Sequence, residues 1–187
     1  MLRFDVKKLT WDVHPAQLRV PREWHDAARV GNCVYIAGGF AKGAWTATVE
    51  RLDMAQPNAE WTPCASMSTA RNFFSAVSVQ SFLYALGGWN QADDHLNTVE
   101  RYDATTDAWM ACAAMRRPLT SHAAVVLKDL IYVLGGLTLH FLQSTLVAGV
   151  DRYDPAVDTW TVCAPMGTPR CGVAAAAIGD KIGRAHV

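Results

Sequence analysis

An internal repeat of nearly fifty residues restricts the possible folds of this chain more than any other feature of its sequence. Residues 34–39, 83–88 and 131–136 each carry a tyrosine three residues before two consecutive glycines, and the first glycines are 49 and 48 residues apart. A sequence repeated at such a period builds one supersecondary unit per copy, and neighbouring units bury each other's apolar faces. The repeat therefore predicts an array of similar units.

Further landmarks recur in step with the glycines. An acidic residue and an arginine follow each glycine pair, then an aspartate, a tryptophan and a Cys-Ala-x-Met segment. The acidic-Arg pairs are Glu50-Arg51, Glu100-Arg101 and Asp151-Arg152; the tryptophans are Trp61, Trp109 and Trp160, preceded by Trp11. Between these landmarks lie short Val- and Tyr-rich runs bounded by Gly, Pro, Asn and Asp, a pattern typical of β-strands.

Taken together, these landmarks resemble the kelch repeat, over nearly the whole chain. The resemblance implies an all-β fold: a partial kelch β-propeller of three complete four-stranded blades plus flanking strands. We expect blades at residues 22–66, 71–114 and 120–165, the last strand or strands of a preceding blade at 1–14, and the first strand of a next blade at 170–181. The residues expected to be structural in every blade are Gly38, Gly39, Gly87, Gly88, Gly135, Gly136, Trp11, Trp61, Trp109 and Trp160. The glycines end an inner strand where backbones approach closely, and the aromatic side chains fill the wedge between blades.

The resemblance also indicates that the sequence is part of a longer protein, since kelch propellers usually close with about six blades. By register, a tyrosine and two glycines should follow Lys181, but the chain reads Ile182-Gly183-Arg184-Ala185-His186-Val187. We therefore expect residues 182–187 to be a non-native tail.

Charge and cysteine content narrow the function. Lys plus Arg and Asp plus Glu both number 17, so the basic surface typical of binding to nucleic acid or an anionic membrane is not expected. The five cysteines form no CxxC motif, which is typical of a reduced, cytoplasmic protein. The six histidines show no metal-ligand spacing, and no phosphate-binding loop or nucleophile motif is present. We expect no enzyme activity, no cofactor and no metal.

Candidate binding residues follow from a rule for repeats: features that differ between blades, in loops, are better functional candidates than features that recur. The loops between the second and third strands of each blade (b–c loops) and the loops between blades (d–a loops) should lie on one face, because the strands alternate in direction. The b–c loops, residues 40–48, 89–98 and 137–149, offer Phe40, Trp45, Trp89, Asn90, His95, His140 and Phe141. Folding back of these side chains onto their own blade is the alternative.

The d–a loops offer a second group of candidates. They contain Arg22, Arg71, Asn72, Arg116, Arg117, Ser121, His122 and Arg170. In kelch-like adaptors, arginines in this loop can hold acidic segments of a partner through paired hydrogen bonds. A structural bridge is the alternative, and the recurrence of Arg22, Arg71 and Arg170 favours it slightly.

The sequences of the acidic-Arg and Cys-Ala-x-Met segments most resemble those of kelch-like ubiquitin-ligase adaptors. In that subfamily the propeller presents a protein target, and a BTB domain, absent from this chain, binds a cullin scaffold. The resemblance leaves two other classes open: an actin-binding or scaffolding kelch protein, and a propeller copper oxidase, whose ligand set is not visible here.

Overall fold

The computed structural model describes residues 2–13, 15–92, 94–140 and 143–185, and all of its regular structure is β-strand. Its first element is a hairpin of β1 (Leu2–Asp5) and β2 (Thr10–Val13). Three four-stranded antiparallel sheets follow, and a last hairpin ends the described chain. Within the described residues, no helix is present that could cross a membrane.

Each four-stranded sheet is one blade with a small hairpin inserted in it. The first blade contains β3 (Asp26–Val30), β4 (Cys33–Ala37), β7 (Val49–Asp53) and β8 (Thr62–Cys64), with the hairpin β5 (Phe40–Ala41) and β6 (Ala44–Trp45). The second contains β9 (Ser75–Val79), β10 (Phe82–Leu86), β13 (Val99–Asp103) and β14 (Ala108–Cys112), with β11 (Trp89–Asn90) and β12 (Asp94–His95). The third contains β15 (Ala123–Leu127), β16 (Leu130–Leu134), β19 (Val150–Asp154) and β20 (Thr159–Cys163), with β17 (Leu137–His140) and β18 (Gln143–Leu146).

The strands of a blade, named a to d in chain order, form a simple meander, because each pairs only with its neighbours in sequence. The a strands β3, β9 and β15 contact one another in series and are therefore the innermost strands, nearest the channel. The b–c hairpins and the d–a segments lie on one face, which we call the hairpin face. Their proximity is direct, since Glu23, Asn72 and Thr120 of the d–a segments pair with Phe40, Trp89 and Leu137.

The paired glycines occupy equivalent places in the three sheets, at the end of the b strand rather than of the innermost strand. Gly38 has a φ of +64°, and a Cβ built on it would lie 2.5 Å from the carbonyl oxygen of Arg71 in the next blade. Gly39 N–H donates to the same oxygen at 2.8 Å. Equivalent bonds run from Gly88 to Leu119 and from Gly136 to Arg170. The prediction that close backbone approach requires these glycines is confirmed.

Aromatic residues fill the space between blades, as expected. The ring of Tyr35 lies 5.6 Å from that of Tyr102 in the next blade, and Tyr102 packs on Trp109 at 5.2 Å. The indole N–H of Trp109 donates to Ala65 O of the preceding blade at 2.9 Å, and Trp160 makes the matching bond to Ala113. Trp61 is buried, whereas Trp11 in the two-stranded β1–β2 hairpin is exposed.

The last hairpin consists of β21 (Ala174–Ile178) and β22 (Lys181–Ala185). Its first strand contacts β15 and therefore continues the series of innermost strands. The strand β22 crosses the boundary that we expected after residue 181, so residues 182–185 take the place of a b strand. The non-native origin of residues 182–187 stays a prediction.

The glycine junction leads to a first test, in which Gly38→Ala is compared with Gly31→Ala. Both glycines have left-handed backbone, but a Cβ on Gly31 meets nothing within 4 Å. We expect Gly31→Ala to lower the free energy of unfolding by about 1–2 kcal/mol, the cost of a left-handed alanine. Gly38→Ala should lower it by about 1–3 kcal/mol more, because the backbone at Gly38 and the backbone at Arg71 must move apart. Urea denaturation measures both, and equal losses would contradict this account of the junction.

Candidate partner-binding surface

The first two d–a arginines are structural groups. The guanidinium of Arg71 donates to the carbonyl oxygens of Gly87 and Thr98 at 2.7 and 3.2 Å. It also forms an ion pair with Glu100 at 2.6 Å, and the Arg71 side chain is 0% exposed. These bonds tie the loop to the b and c strands of its own blade.

Arg22 repeats this arrangement in the first blade. It donates to Gly38 O at 3.1 Å and Thr48 O at 2.8 Å, and it pairs with Glu50 at 2.6 Å with no exposed side-chain surface. Arg22 and Arg71 are therefore not accessible to an acidic partner, which corrects the expectation for both. In these two blades the acidic member of the acidic-Arg pair binds this distant arginine, 28 or 29 residues earlier in the chain.

The third blade departs from this arrangement. Leu119 replaces the arginine and is buried, and the acidic partner is shortened to Asp151. Arg116 approaches Asp151 at 3.5 Å while remaining 49% exposed. The guanidinium of Arg117 lies against Gly149, with Nη1 3.4 Å from the place of a Cβ there. These two arginines lie on the hairpin face, as predicted, and their partner-binding role stays a prediction.

Several other predicted binding residues face inward. Asn72 is fully buried, His122 is almost so, and burial lowers the pKa of His122 to about 4, which keeps its ring neutral. Asn90 is buried and donates to Ala70 O at 2.8 Å. Their small accessible surface leaves little for a partner to contact, because blade packing covers them.

The remaining predicted residues are placed as follows. The His95 ring is hydrogen-bonded to Asp94 at 3.0 Å, and this bond, together with one from the Trp89 indole, lowers the pKa of Asp94. Arg170 bonds to Thr168 in its own loop. Ser121 lies at a d–a tip. The backbone of His140 belongs to β17, whereas Phe141 lies outside the described residues.

The structure brings Phe40, Trp45 and Trp89 together on the hairpin face. Phe40 and Trp45 face each other across the β5–β6 hairpin with ring centroids 4.4 Å apart. Trp45 in turn meets Trp89 of the second blade edge-on at 5.0 Å. A groove of about 460 Å³ lies beside Phe40 and Trp45, and Ser68, Thr69 and the β11–β12 hairpin form its other wall.

Two further aromatic residues, which the sequence analysis missed, extend this surface toward the channel. Trp24 lies 5.9 Å from Phe40 and 5.3 Å from Phe73, between ring centroids. Trp24 is 46% exposed and Phe73 42% exposed. We call Trp24, Phe40, Trp45, Phe73 and Trp89 the aromatic surface. The sequence contains a signal for both positions. Ser121 and Gly172 occupy the equivalent d–a positions, so the residue type varies between blades.

The backbone at these two positions is unusual for bulky residues. Trp24 has a φ of +54° and Phe73 a φ of +48°, and the equivalent Gly172 has a φ of +60°. Left-handed backbone is disfavoured for large side chains, and such strain tends to cluster at functional sites. Exposure together with strain indicates that these rings are retained for contact with something other than the blades.

Within the described ranges, no cluster of His, Cys, Asp and Glu has the arrangement needed to hold a metal ion. All five cysteines are free thiols, and Cys64, Cys112 and Cys163 occupy equivalent places at the ends of d strands.

Comparison with known proteins gives a consistent result. A family model described as the KLHDC2/KLHL20/DRC7 Kelch-repeats domain matches residues 1–183. Kelch-like protein 33 of Homo sapiens is 34% identical over 172 residues, covering 89% of this chain and 31% of the relative. Alpha-scruin of Limulus polyphemus is 30% identical over 168 residues, covering 87% of this chain and 18% of the relative. The chain thus spans less than a third of the length of these relatives.

A solved structure supports the fold. The structure of YjhT superimposes with a TM-score of 0.75 at 18% sequence identity, over 88% of this chain and 58% of YjhT. At this identity the likeness establishes a propeller architecture for the described blades and no more.

The buried ion pair allows a second test, in which Arg71→Leu is compared with Arg116→Leu. Arg71→Leu should lower the free energy of unfolding by about 3–5 kcal/mol, because it leaves the buried Glu100 carboxylate without its cationic partner. Arg116→Leu should cost less than about 1 kcal/mol, since the Arg116 side chain is half exposed and its contact with Asp151 is long, at 3.5 Å. Denaturant melts measure both. Adding Glu100→Leu to Arg71→Leu should recover part of the loss, and failure of both expectations would mean that the pair is not structural.

The strained rings allow a third test, in which Trp24→Gly and Phe73→Gly are compared with Trp61→Ala. We expect each glycine variant to change the free energy of unfolding by less than about 1 kcal/mol, because relief of left-handed strain offsets the lost contacts. Trp61 is buried in the first blade, and its truncation should cost about 3–5 kcal/mol. A loss from Trp24→Gly as large as that from Trp61→Ala would assign the ring to blade packing instead.

Proposed function

Because this chain belongs to the kelch-repeat family of β-propeller proteins, we propose that it binds a protein target through the aromatic surface on its hairpin face. The observation that carries the proposal is the pair of exposed, backbone-strained rings at Trp24 and Phe73. Aromatic residues clustered at the centre of a surface are the usual anchors of protein interfaces. Binding rather than catalysis is the role that we assign to this chain.

The target class is set by how the surface is built. Trp24 and Phe73 come from d–a tips, whereas Phe40, Trp45 and Trp89 come from b–c hairpins of two blades. Phe40, Trp45 and Trp89 lie in paired strands, and Trp24 and Phe73 directly follow backbone-paired residues, so little conformational entropy should be lost when a partner binds. A folded loop or an extended peptide segment of a protein would cover several of these rings at once.

In the cell, we propose that the chain is the target-recognition part of a cullin-RING ubiquitin ligase adaptor in the cytoplasm. Similarity to kelch-like proteins supports this assignment, and the five free thiols suit a reducing compartment. The proposal requires a BTB domain elsewhere in a longer protein to bind the cullin. A complete open reading frame encoding such a domain, and copurification of its product with a cullin, would support it.

The binding role is tested by proximity labelling in cells, with the unmodified chain compared with the Trp24→Gly/Phe73→Gly double variant. We expect the labelling of a specific set of proteins to fall at least about tenfold with the double variant. Such a decrease corresponds to the loss of anchors worth about 1.4 kcal/mol or more of binding free energy. The control is Trp11→Ala, which changes an exposed tryptophan of the β1–β2 hairpin.

Two outcomes would contradict this proposal. Identical labelling by the chain and by the double variant would exclude the aromatic surface as the binding site. Cosedimentation of the chain with actin filaments, unchanged in the double variant, would favour the actin-binding class of kelch protein and a different surface.

A further inference from the structure

A cavity at the mouth of the channel adjoins the aromatic surface. It has a volume of about 380 Å³ and lies where the first residues of the innermost strands meet the d–a tips. Its lining includes Trp24, Asp26, Phe73, Ser75 and His122. Trp24 and Phe73 therefore border both the aromatic surface and this cavity, so a partner on the aromatic surface could insert one side chain here.

The charge of this lining is negative. Asp26 is the acidic group that lines the cavity, and the described residues place no Lys, Arg or His in an ion pair with it. The two histidines of the lining are His25 and His122, and burial lowers the pKa of both, which favours their neutral forms. A cationic group would complement this cavity, and an anionic group would not.

The Asp26 carboxylate has acceptor capacity to spare. Its Oδ1 accepts the N–H of Ala27 at 2.8 Å, and its Oδ2 accepts the N–H of Ala76 at 2.7 Å. A carboxylate offers about four acceptor positions, so two remain for a ligand. Burial raises the pKa of Asp26 by more than the two backbone N–H bonds and the nearby His25 lower it.

The bond to Ala76 links the first two blades, but a link at this position does not require a carboxylate. The equivalent residue of the second blade is Ser75, whose hydroxyl donates to His122 O at 3.0 Å and so links the next pair of blades. Ala123 and Ala174 occupy the equivalent places in β15 and β21. A negative charge at this position is therefore a property of the first blade alone among the described strands, as expected for a recognition residue.

The rings beside Asp26 suit a flat cation. Trp24 and Phe73 lie 5.3 Å apart at an interplanar angle of 33°, and each has an exposed surface. A guanidinium stacks on such rings and donates paired hydrogen bonds to a carboxylate, whereas an ammonium is compact and more strongly hydrated. Arginine therefore fits this combination of ring and carboxylate better than lysine.

We propose that the channel-mouth cavity binds an arginine side chain of the protein partner, stacked on Trp24 and Phe73 and paired with Asp26. This inference rests on the proposed function and gives the partner its chemistry. It also reverses the sign expected from the d–a arginines in the first two blades, because Arg22 and Arg71 are neutralised inside their own blades. The partner segment at this end of the surface is basic.

The direct test titrates the whole chain with N-acetyl-arginine amide while the indole N–H signals of ¹⁵N-labelled tryptophans are recorded by NMR. N-acetyl-citrulline amide, which has nearly the same shape without the charge, is the matched ligand. We expect the Trp24 signal to shift with the arginine compound, with at least about tenfold weaker binding of the citrulline compound. N-acetyl-glutamate amide should not bind.

The variants separate this inference from the proposed function. Asp26→Asn should weaken arginine binding about tenfold, and Asp26→Ser, which copies the second blade, provides the same test if the asparagine variant is unstable. Asp53→Asn, in the first blade's c strand, should have no effect. Equal binding of arginine and citrulline compounds, or binding unaffected by both Asp26 variants, would overturn the inference. If proximity labelling depends on Trp24 and Phe73 but not on Asp26, the binding surface stands and the arginine assignment fails.

Discussion

The fold depends on one contact between neighbouring blades, the hydrogen bond from the second glycine of each pair to a d–a carbonyl oxygen. At the first junction Gly39 donates to Arg71 O, and the absence of a side chain on Gly38 lets the two backbones meet. The side chain of Arg71 then ties the same loop to Gly87, Thr98 and Glu100 of its own blade. A single residue thus joins two blades through its backbone and stabilises one blade through its side chain. The bond thereby places the d–a segment of one blade beside the start of the b–c hairpin of the preceding blade.

The third blade shows which part of that junction can be replaced. Leu119 supplies the backbone oxygen for Gly88 but no guanidinium, and the acidic partner is correspondingly short. A well-packed apolar residue can substitute for a buried ion pair at little cost in stability, because the desolvation of two charges is avoided. The backbone bond has no such substitute, so it recurs in all three junctions. The exchange also leaves Arg116 half exposed. The third blade therefore presents an arginine at its surface, whereas the equivalent arginines of the first two blades are buried.

The division between structural and binding residues follows the same logic. The polar groups that recur, Arg22 and Arg71, bond within their own blades, and their side chains are buried for that reason. Non-recurring residues at the d–a tips, Trp24 and Phe73, have strained backbone and exposed rings. The same left-handed backbone carries no ring at Ser121 and Gly172, so bulky rings at this position are consistent with selection for contact with a partner. The loops that the blades position, rather than the blades themselves, distinguish this chain from others with the same fold.

From the sequence by itself, the repeat period, the all-β class, the glycine junctions and the shared face of the b–c and d–a loops could be derived, because local pattern and strand direction are sufficient for each. Phe40, Trp45 and Trp89 could be named as loop candidates for the same reason. Only the tertiary structure decided that Arg22 and Arg71 are buried, that Asp26 lies at the channel mouth without an ion pair to any described residue, and that Trp24 and Phe73 complete the aromatic surface. These facts depend on which groups meet across blades and on distances between residues about 30 or 50 positions apart. Periodicity shows that such residues are equivalent, but the burial of a charge depends on three-dimensional packing around it.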